Sequence, residues 1–491
     1  MIIKTDKDTI YTYLEDVSNL KGGNAERVLI PESEEELSNI LKKANESRTP
    51  VTISGGGTGT AGSRIPFGGI VVSMERLNSI HEISDKSMSA IVDAGVLVDD
   101  LKSACEERGL FYTSHPTEKT AFVGGTVSTN ASGSRSFKYG PTRDSVKSMR
   151  MLLADGRAVD MRRGELFLTK KDPSIKLANG ESVIIPFPSY RSPDIKNSAG
   201  YFIKDGMDAI DLFIGQEGTL SVITKVEVAL ARMPSKILSC FVFFAKEEDA
   251  WAFAEEARDI SKSGRQGVEA LSIEYFDNNA LGFVRSKNAS VPSKARAAIF
   301  FEQEVSKTNE DMLLAKWLDL ISSHNASLDD TWVAMNDEKA DEFTKLRHLV
   351  PETINELVRK SGFQKLHTDI AVPPERFREL MDFYMAAFKA SSLTHTIFGH
   401  IGECHVHTNT LPWTEAELSK AKEMVLSLVR KGVSLGGTIS AEHGVGKTKH
   451  EYLEIMYGRS GVMEMARLKK AIDPNCILGL DNIFPKEMLN E

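Results

Sequence analysis

The run Val51-Thr52-Ile53-Ser54-Gly55-Gly56-Gly57-Thr58-Gly59-Thr60 carries an apolar strand straight into a turn of glycine and threonine, and a second apolar run, Ile70 to Met74, follows it. Small residues let successive backbone N–H groups face an anion without side-chain interference, and the threonine hydroxyls add donors. The stretch lacks the lysine with which a Walker loop reaches phosphate. Taken singly, such a turn is read first as a tight hairpin between two strands.

Upstream, Val28-Leu29-Ile30 reads as a strand and Glu34 to Glu46 as a helix, with Ser33 and Glu36 spaced as a capping box and Pro50 marking the stop. This is an α/β beginning. Downstream, Ala90 to Ala94 reads as a strand, Val98 to Arg108 as a helix, and Met149 to Leu153 with Arg157 to Met161 as a hairpin about Ala154-Asp155-Gly156. The apolar runs Leu212 to Ile214 and Leu220 to Leu230 complete a β-rich region that ends near Pro234. Between Met161 and Asp194, Gly, Pro, Ser, Lys and Asp gather around Ile184-Ile185-Pro186, which reads as a solvated hairpin insertion.

Past residue 234 the texture changes to a strand from Ile237, a long helix from Lys246 to Ser263, and strands at Ala270 to Tyr275 and Ala297 to Glu302. That order suits an antiparallel sheet covered by helices on one face. Helices follow at Glu415 to Lys431 and from Leu468, the last running into an irregular tail. The chain has 491 residues, more than one core usually serves, so two domains are expected, 1–234 and 235–491.

The composition, 41% hydrophobic and 26% charged, is that of a soluble globular protein. A net charge of −9 and no long basic run argue against a nucleic-acid binder. Cys105, Cys240, Cys404 and Cys476 are too scattered for a disulfide framework or an iron-sulfur cluster, which fits a reducing cytoplasm. The charged segment Met1 to Ile10 reads as no secretory signal, and no run approaches the ~20 apolar residues of a membrane span. Peripheral contact with the inner face of a membrane and homo-oligomer formation stay open.

Two further stretches repeat the chemistry of the first turn. Gly124-Gly125-Thr126-Val127-Ser128-Thr129-Asn130-Ala131-Ser132-Gly133 reads as a second small-residue turn and Gly215-Gln216-Glu217-Gly218-Thr219-Leu220 as a third. Together they would line a groove around a diphosphate cofactor. Ser54 to Thr60, the run from Val123 through Tyr139-Gly140, and Leu212 to Leu220 resemble the FAD-binding motifs of the vanillyl-alcohol-oxidase (PCMH-type) flavoproteins. The likeness is to the branch holding D-lactate dehydrogenase, the glycolate oxidase flavin subunit and D-2-hydroxyglutarate dehydrogenase. It implies an α+β protein, a two-subdomain PCMH-type FAD-binding domain followed by an antiparallel-sheet substrate (cap) domain with a C-terminal helical return. By the same resemblance Gly55, Gly56, Gly57, Thr58, Gly59 and Thr60 bind the FAD pyrophosphate. Pro116, Thr117, Gly124, Gly125, Thr129, Asn130, Ser132 and Gly133 line the flavin and its ribityl chain, and Glu217, Gly218 and Ile223 lie near the adenine. The family's arginine before the first turn is Ser54 here, and noncovalent FAD is expected because that turn contains no histidine.

Four of the eleven histidines, His395, His400, His405 and His407, fall in one short window, and Glu442-His443 sits in another glycine-rich turn. Imidazole is a metal ligand and a proton carrier near neutral pH. Strand alternation puts His405 and His407 on one face and His400 on the other, unless Gly402 resets the parity. The resemblance selects His400, His407 and Glu442 as ligands of a divalent metal, Zn or Mn, His443 as catalytic base and Arg347 as the grip on the substrate carboxylate. His395 reads as structural. Family members have Asp-Gly-Asn where this chain has Glu403-Cys404-His405, and the lysine of the hydroxyglutarate enzymes is His367.

The implied activity is FAD-dependent oxidation of a D-2-hydroxy acid, D-lactate or glycolate-like, with electrons leaving to a quinone, a cytochrome or a partner redox subunit. No NAD fingerprint accompanies the first glycine turn. The rival expectations are an alkylglycerone-phosphate-synthase-like FAD transferase and a non-catalytic flavin subunit of a complex.

Overall fold

The computed structural model describes residues 1–114, 116, 118–264 and 267–491. Thr117 therefore lies outside the described residues. Three sheets organise the chain. The first is four-stranded, in the order Ile2–Lys4, Arg27–Ile30, Ile70–Ser73, Val51–Ser54. Its last three strands are parallel, Val51 pairing with Ile70. The segment Gly55 to Thr60 is thus the start of a crossover and not a hairpin turn. Helix Glu34–Ser47, capped by Ser33 onto the Glu36 N–H, buries Leu37, Ile40, Leu41 and Ala44, the one-sided spacing of an amphipathic helix.

The second sheet is antiparallel, with Val222–Arg232 at its centre between Ser89–Asp93 and Val146–Leu152. Ala158–Arg162 pairs with Val146–Leu152 as the expected hairpin, and the excursion forms its own hairpin, Ser174–Lys176 with Ser182–Ile184, which leaves Ile184 73% exposed. Two expected elements come out differently. Ile210–Phe213 is a buried helical turn, because three apolar residues in a row carry no period of their own. The second glycine stretch opens as a helix, Val123–Thr129, ended by Asn130 in the left-handed conformation (φ 50°). Its glycine content serves close packing: a Cβ on Gly124 would lie 2.5 Å from the Cβ of Ala94.

The third sheet is antiparallel and eight-stranded, and includes Lys236–Phe244, Ala297–Val305, Ala270–Phe276, His395–Gly399 and His405–Thr410 as consecutive neighbours. It is covered on both faces, not one. Leu238, Cys240, Val242 and Phe244 join the main core, with helix Glu247–Ser263 and Trp317, while Phe241 and Phe243 face a second core with Leu281, Val284, Phe343 and Ile354. A strand buried on both sides reads as a continuous apolar run, as Phe241 to Phe244 does.

After helix His450–Ile472 the tail returns to the first sheet, where Val51 N–H donates to Ile477 (2.7 Å) and Gly479 N–H to Val51 (2.9 Å). Residues at both ends of the chain therefore wall the same region.

Candidate active site

A cavity of about 350 Å³ runs between the first two sheets. Gly55 to Thr60 line it, as do Pro116, Gly124, Gly125, Thr129, Ser132, Glu217, Gly218 and Ile223, and Glu442 and His443 stand at one edge. Among the described residues, a Cβ on Gly59 or Gly125 would enter open space, and the hydroxyls of Thr60 and Ser132 are buried without a hydrogen-bond partner. Backbone left bare beside unpaired hydroxyls is what an anionic, ring-bearing cofactor needs. Two expected residues lie outside the lining. Asn130 spends its side chain on the Arg143 N–H and on Asn197 and Ser198, and the Gly133 N–H donates to Ser136. Ser63, Met74, Ala94 and Phe122 are among the other residues of the wall, and no sequence signal singled them out.

Glu217 is buried, and its carboxylate accepts from Ser63 Oγ (2.5 Å) and from the Val445 and Gly446 N–H groups (2.8 Å each). It fastens the loop that carries Glu442 and His443 to the wall of the cavity.

The histidines are brought together by a reversal. Strand His395–Gly399 ends at His400, a 3₁₀ turn Ile401–Glu403 follows, and His405–Thr410 returns antiparallel with His407 opposite Phe398. Gly399 (φ 126°) leaves room for the His407 ring, whose Cδ2 would lie 3.0 Å from a Cβ there. Cys404 takes the left-handed conformation (φ 53°), costly for a residue with a Cβ, and its buried thiol receives Arg258 Nη1 at 3.1 Å. The turn puts His400 beside His405 and His407, so one nitrogen from each and one Glu442 oxygen lie within 4.8 Å of one another. The disagreement between strand parity and family pattern disappears, since all three rings converge. His395 is elsewhere, stacked on Phe388 with centroids 4.0 Å apart.

Glu442 is the hub. Its Oε1 lies 3.1 Å from His407 Nε2, and its Oε2 lies 2.9 Å from Lys196 Nζ and 3.4 Å from His400 Nε2. Lys196, nearly fully buried, also reaches Glu403 at 2.8 Å. Burial works against the Glu442 charge, but Lys196 and His400 outweigh it and hold the carboxyl well below the usual range. His400 is raised to about 9, burial being overcome by Glu274 and Glu442, whereas burial and then His407 push His405 down to about 3. His407 is lowered as well, mainly by burial.

Three residues that sequence reasoning missed support this cluster. Glu274 accepts from His400 Nδ1 (2.6 Å) and from Arg347 Nη2 and Nε (2.8 and 3.1 Å), and it is held down to about 2, burial notwithstanding, by Arg347 and His400. Its signal was a lone carboxylate inside the apolar strand Ala270–Phe276. Asp369 accepts from Ser440 Oγ, Lys449 Nζ and the His443 N–H, and lies 3.1 Å from His443 Nδ1. Lys196 is the third. Arg347, expected to grip substrate, has one edge engaged by Glu274, and its Nη1 makes no hydrogen bond among the described residues. His367 packs edge-on against His443, with centroids 6.0 Å apart.

Removing Glu274 strands two cationic partners in the interior, so Glu274→Ala is expected to destabilise the protein by about 3–5 kcal/mol. Thermal and denaturant unfolding would check this, and a loss under 1 kcal/mol would contradict it.

A glycine-walled cavity that opens on a buried histidine and carboxylate cluster is the layout of a cofactor-dependent enzyme. Residues 25–162 match the FAD binding domain and 233–480 the C-terminal domain of FAD linked oxidases. The chain belongs to the FAD-linked oxidase family and is an FAD-linked oxidoreductase. It is 30% identical to D-lactate dehydrogenase of Archaeoglobus fulgidus, over 94% of this chain and 91% of that protein. It is 27% identical to glycolate oxidase subunit GlcD of Bacillus subtilis, over 94% and 89%. An alkyldihydroxyacetonephosphate synthase structure shares its fold, with TM-score 0.66 and 16% identity over 97% of this chain and 81% of that one. Among the described residues, no helix is long and apolar enough to cross a membrane.

Proposed function

We propose that this protein is an FAD-dependent dehydrogenase that oxidises a small D-2-hydroxy acid, D-lactate or glycolate-like, to the 2-oxo acid. The observation that carries the reading is that the Glu442-His443 pair edges the glycine-walled cavity and at the same time closes the three-histidine cluster. The names of the relatives, a lactate dehydrogenase and a glycolate oxidase subunit, support the substrate class.

The open space at Gly59 and Gly125 and the unpaired Thr60 and Ser132 hydroxyls suit FAD, which when bound supplies the hydride acceptor for the α-carbon. The donor set of His400, His407 and Glu442 suits a divalent ion, which would supply a Lewis acid for the α-hydroxyl. Arg347 offers its Nη1 edge to the substrate carboxylate while Glu274 fixes the opposite edge. His443 takes the hydroxyl proton at Nε2, since its Nδ1 side faces Asp369. Asp369 accepts from the His443 main-chain N–H and is itself held by Lys449 Nζ, which fixes the backbone that carries that imidazole. Reoxidation then falls to an external acceptor, a quinone, a cytochrome or a partner redox subunit.

Turnover of each enantiomer of lactate and 2-hydroxyglutarate, and of glycolate, with an artificial electron acceptor tests this. Formation of a 2-oxo acid from a D-enantiomer, or from glycolate, is the expected result. Selective use of L-enantiomers would overturn the stereochemical assignment.

A further inference from the structure

We propose that His405 is a fourth protein ligand, so that this chain holds its divalent ion through three imidazoles and one carboxylate. This deepens the reading above and rests on its assignment of His400, His407 and Glu442 as ligands. The ring of His405 is completely buried, and among the described residues neither of its nitrogens has a hydrogen-bond partner. An interior polar group left unpaired is costly, so a ring placed this way points to something that satisfies it.

The rings of His400, His405 and His407 form a triangle, with centroids 4.5 to 5.7 Å apart. Each ring turns one nitrogen toward Glu442 and the other toward an acceptor. His400 Nδ1 meets Glu274 at 2.6 Å, and His407 Nδ1 meets the Thr368 carbonyl at 3.2 Å. His405 Nε2 lies 3.0 Å from Asp369 Oδ1, at an angle short of hydrogen-bond geometry, while its Nδ1 lies 3.9 Å from Glu442 Oε2. An imidazole backed by a carboxylate or carbonyl and facing a shared donor cluster is the usual arrangement of a metal-bound histidine. His405 shares that placement, with Asp369 behind its Nε2 and Glu442 in front of its Nδ1, but without the hydrogen bond that backs the other two rings. His400 Nε2 and His405 Nδ1 face Glu442 Oε2 at 3.4 and 3.9 Å, and His407 Nε2 faces Oε1 at 3.1 Å, so the three rings meet on the one carboxylate.

The consequence is selectivity. Adding a third nitrogen shifts the site toward late first-row ions such as Zn(II) and away from Mn(II), and it removes one coordination position that the family's asparagine pattern would leave open.

The test uses the full-length, FAD-loaded protein with Zn(II) or Mn(II) alone. X-ray absorption at the zinc edge counts imidazole ligands, and chelator competition gives both affinities for the unaltered protein, His405→Asn and His405→Gln. Three imidazoles are expected in the unaltered protein and two in the variants, with zinc affinity falling about 10- to 100-fold and manganese affinity changing far less. Two imidazoles in the unaltered protein, an unchanged Zn/Mn preference in the variants, or no ion bound at this site would overturn the proposal. The count in the unaltered protein decides the matter even if both variants misfold. Failure of the functional reading looks different: a three-imidazole site would be present, yet no hydroxy acid would reduce the flavin.

Discussion

Glu442→Gln is expected to lower turnover by roughly 10³-fold while leaving flavin bound. The substitution keeps the size of the side chain and removes the charge on which Lys196, His400 and His407 converge. An amide would also present N–H groups to the Lys196 ammonium, so the cluster loses both its neutralising group and its order. The magnitude lies at the upper end of the roughly 10²- to 10³-fold lost with one charge-stabilising group in a buried site. Flavin should remain because the glycine turns, Thr60 and Ser132 that line the cavity are left as they are. Steady-state rates and the flavin-to-protein absorbance ratio measured on one preparation would check both halves, and a rate within tenfold of the unaltered protein would contradict the role given to Glu442.

Gly125→Leu is expected to produce a folded protein that does not retain FAD. Nothing lies within 4 Å of a Cβ at Gly125, so the new side chain meets no protein atom first and extends into the cavity. The residue lies in helix Val123–Thr129, where leucine is the better helix former by somewhat less than ~1 kcal/mol. Apoprotein stability should therefore hold. The neighbouring Gly124→Ala is the contrast: its Cβ would meet Ala94 Cβ at 2.5 Å and the Ala94 Cα and carbonyl at 3.0 Å. Overpacking there should cost about 1–3 kcal/mol. Flavin content after gel filtration and the melting temperature of the apoproteins separate the two effects. Full flavin occupancy in Gly125→Leu would place the cofactor elsewhere.

Much of the architecture was legible because its signals are local. The Ser33 cap, the Ala154-Asp155-Gly156 hairpin and the Ile184 excursion each declare themselves within a few residues. What sequence could not give was the partner of each surface. Gly124 looks like a loop residue until Ala94 is set against it, and what covers the second face of the sheet, at Phe241 and Phe243, is seen only with the second core. The site follows the same division. His405 and His407 share a strand face by simple alternation, but His400 joins them only through a 3₁₀ turn that period counting cannot foresee. Glu274 is a single carboxylate in an apolar strand, and its imidazole partner is 126 residues away in sequence. Lys196 and Asp369 are of the same kind, ordinary charged residues whose meaning comes entirely from burial beside distant partners.

The most direct test of the central claim is anaerobic absorbance of the FAD-loaded, metal-supplemented protein during addition of D-lactate, glycolate and D-2-hydroxyglutarate, with the L-enantiomers as controls. The account predicts that a D-2-hydroxy acid or glycolate bleaches the flavin band and that the L-enantiomers leave it unchanged. A flavin band that none of them alters would contradict it.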